Sequence, residues 1–121
     1  MSINNLEATV RHAPGVAIID LHGEINSFGE EALNAAYTEA EGQASDAILL
    51  NFADVDYINS TGIALIVGLL ARARKTHRRF LACGLSDHYI EIFEITRLVD
   101  FMSLFPDEAT ALTDKPASPK A

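Results

Sequence analysis

The chain has 121 residues, 49% of them hydrophobic, and 9 Lys and Arg against 17 Asp and Glu give it a formal net charge of −8. This length suits one domain with a core of its own. The acidic balance argues against nucleic acid, which binds to basic faces, and against docking on anionic lipid. A single cysteine excludes a disulfide framework within the chain and fits a reducing compartment.

Targeting and membrane signals are not predicted. Residues 1–7 lack the basic and apolar regions of a signal peptide, and the longest apolar run, 63–71, is too short to span a membrane. We therefore expect a cytoplasmic protein without direct membrane insertion. Residues 1–113 are predicted to form one domain, and residues 114–121, rich in Lys, Pro and Ala, a disordered tail.

Hydrophobic periodicity and turn residues predict a β-hairpin followed by alternating helices and strands. The hairpin joins residues 6–12 to residues 16–21 through a turn at Pro14-Gly15, and a loop over 21–26 follows. The later elements are predicted as a helix over 27–42, a strand over 47–52, a helix from about 61 to 75 or 77, a strand over 80–83, a helix over 87–97, a strand over 101–105 and a helix over 106–112.

These elements indicate the fold class. Residues 47–52 lack polar alternation, which predicts a central strand buried on both faces. Ser27 with Glu30 is interpreted as a capping box at the start of the first helix. Because strand–helix–strand crossovers are right-handed, successive core strands should be parallel. We expect a single α/β domain with a mixed β-sheet, a hairpin start and helices packed on the sheet.

The turn between the two most apolar segments is Asn59-Ser60-Thr61-Gly62. The first three of these are good N-cap residues, whose side-chain oxygens accept hydrogen bonds from the first turn of a helix. A helix N-terminus also favours an arriving negative charge. Ser60 is therefore either a simple cap or a hydroxyl placed where an anion is tolerated.

The helix after Ser60 has two unlike faces. Large apolar residues at helical spacing predict its core face. They are Ile63, Leu65, Ile66, Val67, Leu69 and Leu70. Ala64, Gly68 and Ala71 lie on another side, in line with Ser60. This small-residue side is either an ordinary exposed flank or a surface on which a partner's backbone approaches the serine.

The remaining candidate residues are given structural interpretations. Basic residues at the end of the second helix suit its C-terminus, so no nucleic-acid site is inferred. They are Arg72, Arg74, Lys75, Arg78 and Arg79. Cys83 is interpreted as a buried apolar residue. Asp54 and Asp56 are interpreted as a solvated turn, although a carboxylate pair is the alternative.

The sequence also lacks recognisable chemistry. Neither a glycine-rich nucleotide loop nor a nucleophile elbow is present. The histidines are scattered without metal-ligand spacing. They are His12, His22, His77 and His88. We therefore expect a binding partner of other proteins rather than an enzyme, without cofactor or metal.

The stretch Asp56-Tyr57-Ile58-Asn59-Ser60-Thr61-Gly62, after a buried strand, resembles the signature of the STAS domain of anti-anti-sigma factors. That family usually has Asp-Ser-Ser-Gly or Asp-Ser-Thr-Gly here. The stretch from Leu21 to Asn26 resembles the family's Leu-x-Gly-x-Leu-Asp. With the order of elements, the resemblance spans about residues 6–112.

The resemblance implies an anti-sigma factor antagonist in a partner switch. Unphosphorylated, it would bind an anti-sigma factor that is also a serine kinase, and so free the sigma factor. Phosphorylation of Ser60 would release the kinase, and a serine phosphatase would reset the switch. The implied partner-binding residues are Asn26, Asn59, Ser60, Thr61, Gly62, Ala64 and Gly68.

Two positions depart from the family, since Asn26 and Asn59 replace residues that are commonly Asp. Their neutral side chains would reduce repulsion of a phosphate on Ser60, or would slow phosphorylation if carboxylates orient the hydroxyl. One alternative is therefore a constitutive STAS scaffold or subunit, in a signalling or transport assembly, without a phospho-switch. Another is a small hydrolase that uses Ser60, with His22 as its base.

Overall fold

The structure, a computed structural model, describes residues 5–42 and 45–113. The predicted disordered tail, 114–121, lies outside these residues. The order of helices and strands agrees with the prediction. The elements are β1 (Glu7–Ala13), β2 (Val16–Ile25), α1 (Glu30–Glu41), β3 (Ala47–Ile58), α2 (Ser60–Lys75), β4 (Arg79–Cys83), α3 (Asp87–Ile95), β5 (Ser103–Phe105) and α4 (Glu108–Thr113), with 3₁₀ turns at Ser27–Gly29 and Leu98–Asp100.

The strands form one mixed sheet in the order β1-β2-β3-β4-β5. β1 and β2 are antiparallel and pair up to Ala13 and Val16, on either side of the predicted Pro14-Gly15 turn. Gly15 has a φ of +75, which favours glycine. Every later pair of neighbouring strands is parallel. The predicted α/β fold with a hairpin start is therefore confirmed.

The sheet is covered unequally on its two faces. The larger core joins one face to α1, α2 and α3, through side chains such as Tyr37, Ile66 and Phe93. The smaller core on the other face includes Leu49 of β3 and Ala111 of α4. β3 is thus buried on both faces, as its unbroken apolar run predicts.

An ion-pair network holds α4 near the hairpin. The guanidinium of Arg11 pairs with Asp20, and its Nη2 lies 2.6 Å from Oε1 of Glu108. Asn51 donates a further hydrogen bond to Asp20, at 3.0 Å. The hydrogen bond from Arg11 keeps the pKa of the Asp20 carboxyl below its ordinary value. The C-terminal helix is therefore fastened by charge as well as by its apolar contacts.

Two strands extend further than predicted. The expected loop over 21–26 is wrong, because β2 continues to Ile25 and pairs with β3 as far as Ile58. A bulge-like register shift lies near Gly23, which has a φ of 102. β4 pairs with β3 only up to Asn51, so among residues 5–42 and 45–113 the last part of β3 pairs with β2 alone.

Several boundaries also differ. The capping box predicted at Ser27 is wrong, since the side chain of Asn26 accepts the hydrogen bond from Phe28 N–H and opens a 3₁₀ turn ahead of α1. α3 ends at Ile95, and Arg97 follows in the left-handed region at φ 66. β5 comprises only the last three residues of the predicted strand over 101–105, and α4 begins at Glu108 rather than at residue 106.

Candidate functional site

The cap of α2 is Asn59, not Ser60. Its side-chain oxygen accepts a hydrogen bond from Gly62 N–H at 2.8 Å, and its carbonyl oxygen accepts one from Ile63 N–H at 2.9 Å. Ser60 is the first residue of the helix and is exposed. Within the part of the chain that the structure describes, its hydroxyl has no hydrogen-bond partner. The interpretation of Ser60 as the cap is therefore wrong.

Gly62 lets the start of α2 approach the end of β2. A Cβ at Gly62 would lie 2.2 Å from the carbonyl oxygen of Ile25, a distance that no side chain can adopt. The same carbonyl oxygen accepts a hydrogen bond from Asn59 N–H at 3.2 Å. Gly62 is itself buried. These contacts fix the position of the exposed serine.

Asn26 and Asn59 lie side by side at the ends of neighbouring strands. Each directly follows one member of the pair Ile25 and Ile58, which are partners in the parallel ladder. Each side-chain oxygen also accepts a backbone hydrogen bond, from Phe28 and from Gly62 respectively. An amide oxygen caps as well as a carboxylate but carries no charge, so both caps are made without negative charge near Ser60.

One side of α2 is built of small exposed residues. Ala64, Gly68 and Ala71 are exposed and follow Ser60 at helical spacing. A Cβ at Gly68 would meet none of the described atoms within 4 Å. The packing of the described residues thus does not require glycine at position 68.

Two large apolar side chains beside this helix are exposed instead of buried. Val67 was predicted to lie on the core face, but it is 43% exposed. Phe28 carries helical spacing in the sequence, yet it lies in the 3₁₀ turn that packs on α2 and is 84% exposed. We define the Ser60 surface as Phe28, Ser60, Ala64, Val67 and Gly68.

Tyr89 supports the strand that leads to this surface. Its hydroxyl accepts a hydrogen bond from Ile58 N–H at 2.9 Å, on the side of β3 that β4 no longer covers. Sequence reasoning missed this contact, because it joins α3 to β3 across 31 residues and follows no local motif.

The other candidate residues do not assemble a catalytic site. Nδ1 of His22 lies 3.2 Å from Oδ2 of Asp54, and the structure does not bring His22 into hydrogen-bond contact with Ser60. Asp54 and Asp56 are exposed but belong to β3, so the predicted turn is wrong. Residues 5–42 and 45–113 contain no group of three potential metal ligands.

The single cysteine is buried, as predicted from its place in an apolar strand. Cys83 is buried in β4, and burial raises the pKa of its thiol to about 11. It is therefore a neutral thiol near pH 7 and a poor nucleophile.

None of the helices in the described residues is long and apolar enough to cross a membrane.

Comparison with known proteins extends this description. The family model of the STAS domain matches residues 7–111. A Bordetella bronchiseptica protein, BtrV, which carries the name of an anti-sigma factor antagonist, is 29% identical over 119 residues, or 95% of this chain and 100% of BtrV.

Solved structures share the fold. An anti-sigma factor antagonist from Mycobacterium paratuberculosis superposes with a TM-score of 0.77 and 20% identity, covering 90% of this chain and 92% of the other. The phosphorylated form of the Bacillus cell fate determinant SpoIIAA superposes with a TM-score of 0.67 and 21% identity, covering 87% of this chain and 96% of the other.

Proposed function

The chain belongs to the STAS domain family, and we propose that it is an anti-sigma factor antagonist. In this proposal the Ser60 surface binds an anti-sigma factor that is also a serine kinase. Phosphorylation of Ser60 ends the binding, and a serine phosphatase restores it. The observation that carries the proposal is an exposed serine beside a helix face of small residues. Asn59 caps the helix, so the hydroxyl of Ser60 is not used as the cap.

The helix start can accept a phosphate. A phosphoserine carries about −1.5 to −2 charges at pH 7. The helix dipole favours such a charge at the N-terminus. The N–H groups of Ser60 and Thr61 have no acceptor among the described residues, whereas those of Gly62 and Ile63 donate to Asn59. The neutral Asn26 and Asn59 add no repulsion, so phosphorylation should leave the domain folded.

The same phosphate would disrupt a complex at this surface. Ala64 and Gly68 leave space for a close approach, and Phe28 and Val67 offer exposed apolar contacts. A partner that packs against them would cover Ser60 and remove water from it. Burying a doubly charged group without a matching cation costs several kcal/mol, on the order of the whole contribution of a small interface.

The names of similar proteins support the proposal. BtrV carries the name of an anti-sigma factor antagonist and matches this chain along nearly all its length. The SpoIIAA structure is of a phosphorylated form, so a protein of this fold can be phosphorylated. The proposed place of action is the cytoplasm, where a sigma factor and its regulators meet.

A constitutive scaffold is the second candidate, favoured by Asn26 and Asn59. If the family's carboxylates at these positions orient the hydroxyl for the kinase, their absence would leave Ser60 unphosphorylated. The domain would then bind its partner permanently, in a signalling or transport assembly. The two candidates differ in one respect, which is the response of binding to charge at residue 60.

The test is partner capture with charge variants. Wild type, Ser60→Ala and Ser60→Asp are immobilised and exposed to lysate of the source cell, and bound proteins are identified by mass spectrometry. Ala109→Asp is the matched control, because it adds the same charge to the exposed first turn of α4. The switch predicts capture of an ATP-binding anti-sigma factor by every bait except Ser60→Asp. Equal capture by all four baits would favour the scaffold.

A further inference from the structure

Phe28 is the most exposed large apolar side chain among the described residues, at 84%. Its ring contributes little to the stability of the fold, because most of the ring has not been removed from water. A single exposed apolar residue is common on protein surfaces, so exposure alone gives Phe28 no role. The turn that holds it, its distance from Ser60 and the charge beside it together assign one.

The turn beneath Phe28 is held by short contacts. Phe28 N–H donates a hydrogen bond to the side-chain oxygen of Asn26 at 2.9 Å, and Gly29 N–H donates one to the carbonyl oxygen of Asn26, also at 2.9 Å. Gly29 is buried, and a Cβ on it would lie 2.9 Å from Cδ2 of Leu6. Because the backbone is already fixed, a partner has only the ring torsions of Phe28 to order, which lowers the entropy cost of binding.

Phe28 and Ser60 are close enough for one partner to cover both. They follow Ile25 and Ile58, which are partners in the parallel ladder, by three and two residues. At about 3.8 Å per residue and about 4.8 Å between strands, their Cα atoms are at most about 24 Å apart. A standard interface covers about 800 Å² of each partner, which is about 32 Å across. A partner seated on Ser60 therefore reaches Phe28.

The charge beside Phe28 is negative. Glu30 and Glu31 follow it in the first turn of α1, and both are exposed. Neither carboxylate forms an ion pair within the part of the chain that the structure describes, and residues 12–71 contain no Lys or Arg. The cations of α2 begin at Arg72, whose Nη2 lies 2.7 Å from Oε1 of Glu41. An apolar ring and a free carboxylate, about one turn apart, thus lie side by side.

This charge selects the kind of surface that fits Phe28. A second copy of the chain would pack by the same patch, since symmetric dimers use one surface on both subunits. It would bring Glu30 and Glu31 close to their own copies, and each chain carries a formal net charge of −8. An anionic membrane is opposed by the same carboxylates. The patch therefore fits a protein that presents an apolar pocket with a cationic side chain at its rim.

We propose that Phe28 is the anchor of the Ser60 surface and the residue that selects its partner. Its ring enters an apolar pocket of the anti-sigma factor kinase, and a Lys or Arg at the rim of that pocket binds Glu31. This inference rests on the proposed function, because the kinase is the protein that would cover Ser60. Aromatic side chains are enriched at interface centres, and a few residues that fill desolvated pockets carry most of the binding free energy. The rim cation lies over α1, so a phosphate on Ser60 still meets no matching charge.

The test measures binding of one purified protein to variants of this chain by biolayer interferometry. The probe is the ATP-binding anti-sigma factor that wild type captures from lysate, with a non-hydrolysable ATP analogue so that Ser60 stays unmodified. Phe28→Ser should weaken binding at least about thirtyfold, as at an interface hot spot. Phe28→Leu keeps an apolar side chain and should stay within about fivefold of wild type. Ile95→Ser is the matched control, because Ile95 is 71% exposed at the end of α3, and it should bind within about twofold of wild type.

Glu31→Gln tests the rim charge. It should lower the association rate constant about threefold at about 50 mM salt and leave the dissociation rate nearly unchanged, because an exposed charge mainly steers the encounter. The difference should vanish at about 0.5 M salt. Glu39→Gln is the matched control, since it removes the same charge from an exposed position about two turns later on α1. Equal effects of the two substitutions would contradict a cation at the rim of the pocket.

The anchor and the switch fail in different ways. If Phe28→Ser binds the anti-sigma factor like Ile95→Ser while Ser60→Asp loses it, the anchor is refuted and the switch is retained. If Phe28→Ser loses binding and Ser60→Asp does not, the anchor is retained and the switch is refuted. If wild type captures no ATP-binding anti-sigma factor, both proposals are refuted.

Two further results would overturn the anchor. Urea denaturation should give Phe28→Ser a transition midpoint close to that of Ile95→Ser, because neither side chain is buried. A clearly lower midpoint for Phe28→Ser would show that the ring packs on the chain itself. A wild-type dimer in sedimentation that Phe28→Ser dissociates would make a second copy the occupant of this patch.

Discussion

The two ends of α2 are held in place by different kinds of contact. At the amino end, Asn59 and Gly62 hold the helix against Ile25 through backbone contacts and leave Ser60 exposed. At the carboxyl end, long cationic side chains make the contacts, and Arg72 and Arg78 reach across to α1. The proposed phosphorylation site thus stands on rigid backbone geometry, whereas the other end of α2 is held by long, flexible side chains.

The largest effect on the free energy of unfolding is expected when the two glycines of α2 are compared by substitution with alanine. Gly62→Ala would place a Cβ 2.2 Å from the Ile25 carbonyl oxygen, so α2 must shift, and we expect a loss of at least about 3 kcal/mol in the free energy of unfolding. Gly68→Ala is the matched control and should gain about 0.5–1 kcal/mol, because alanine favours helix and meets open space. Urea denaturation measures both, and similar stabilities would contradict this description of the amino end.

The second prediction distinguishes two arginines at the carboxyl end. Arg78→Met should lower the free energy of unfolding by about 2 kcal/mol, because charged hydrogen bonds to the Ser45 and Glu41 carbonyl oxygens are lost. Arg74→Met removes a partly exposed contact with Phe101 and should cost about 0.5–1 kcal/mol. The reverse order in urea denaturation would show that Arg74 is the structural residue.

A third prediction concerns the support of β3 near Ser60. Tyr89→Phe removes the hydroxyl that accepts the hydrogen bond from Ile58 N–H, and we expect a cost of about 1–2 kcal/mol. Tyr57→Phe changes an aromatic ring that is 51% exposed and should cost less than about 0.5 kcal/mol. Thermal unfolding compares the two variants, and equal melting temperatures would mean that the Tyr89 hydroxyl does not hold the strand.

The smallest stability effect is expected for Asn59→Asp, since a carboxylate oxygen can accept the same hydrogen bond from Gly62. The change should be within about 0.5 kcal/mol, whereas Asn59→Ala should cost about 1 kcal/mol through loss of the cap. If the proposed kinase phosphorylates Ser60, Asn59→Asp should nevertheless change the rate of that phosphorylation. An unchanged rate would show that the charge at residue 59 is irrelevant to the switch.

Local patterns made the amino end of α2 predictable. The apolar run of β3, the polar turn and the apolar helix follow each other in the sequence, so the position of Ser60 at a helix start followed from them. The choice of cap did not, because Asn59, Ser60 and Thr61 are all suitable. Only the geometry of the turn decides which side chain reaches the N–H of Gly62.

The missed features depend on contacts between distant segments. Residues 53–57 contain two aspartates and resemble a loop, but they pair with β2 beyond the end of β4, so exposed polar side chains are accommodated within a strand. Phe28 has helical spacing, yet the 3₁₀ turn after Asn26 directs it outward. Likewise, the basic residues at the end of α2 and just after it are one cluster in the sequence. Only tertiary contacts show that Arg72 and Arg78 bind to α1 and that Arg74 lies over the Phe101 ring.

The most direct test of the proposed switch is phosphorylation of the bound chain. The complex with the captured anti-sigma factor is incubated with ATP, and mass spectrometry follows the chain while size-exclusion chromatography follows the complex. We expect one phosphate, on Ser60, that appears together with dissociation, and neither event with Ser60→Ala. A chain that stays unmodified, or that is phosphorylated on Ser60 and remains bound, would contradict the proposed switch.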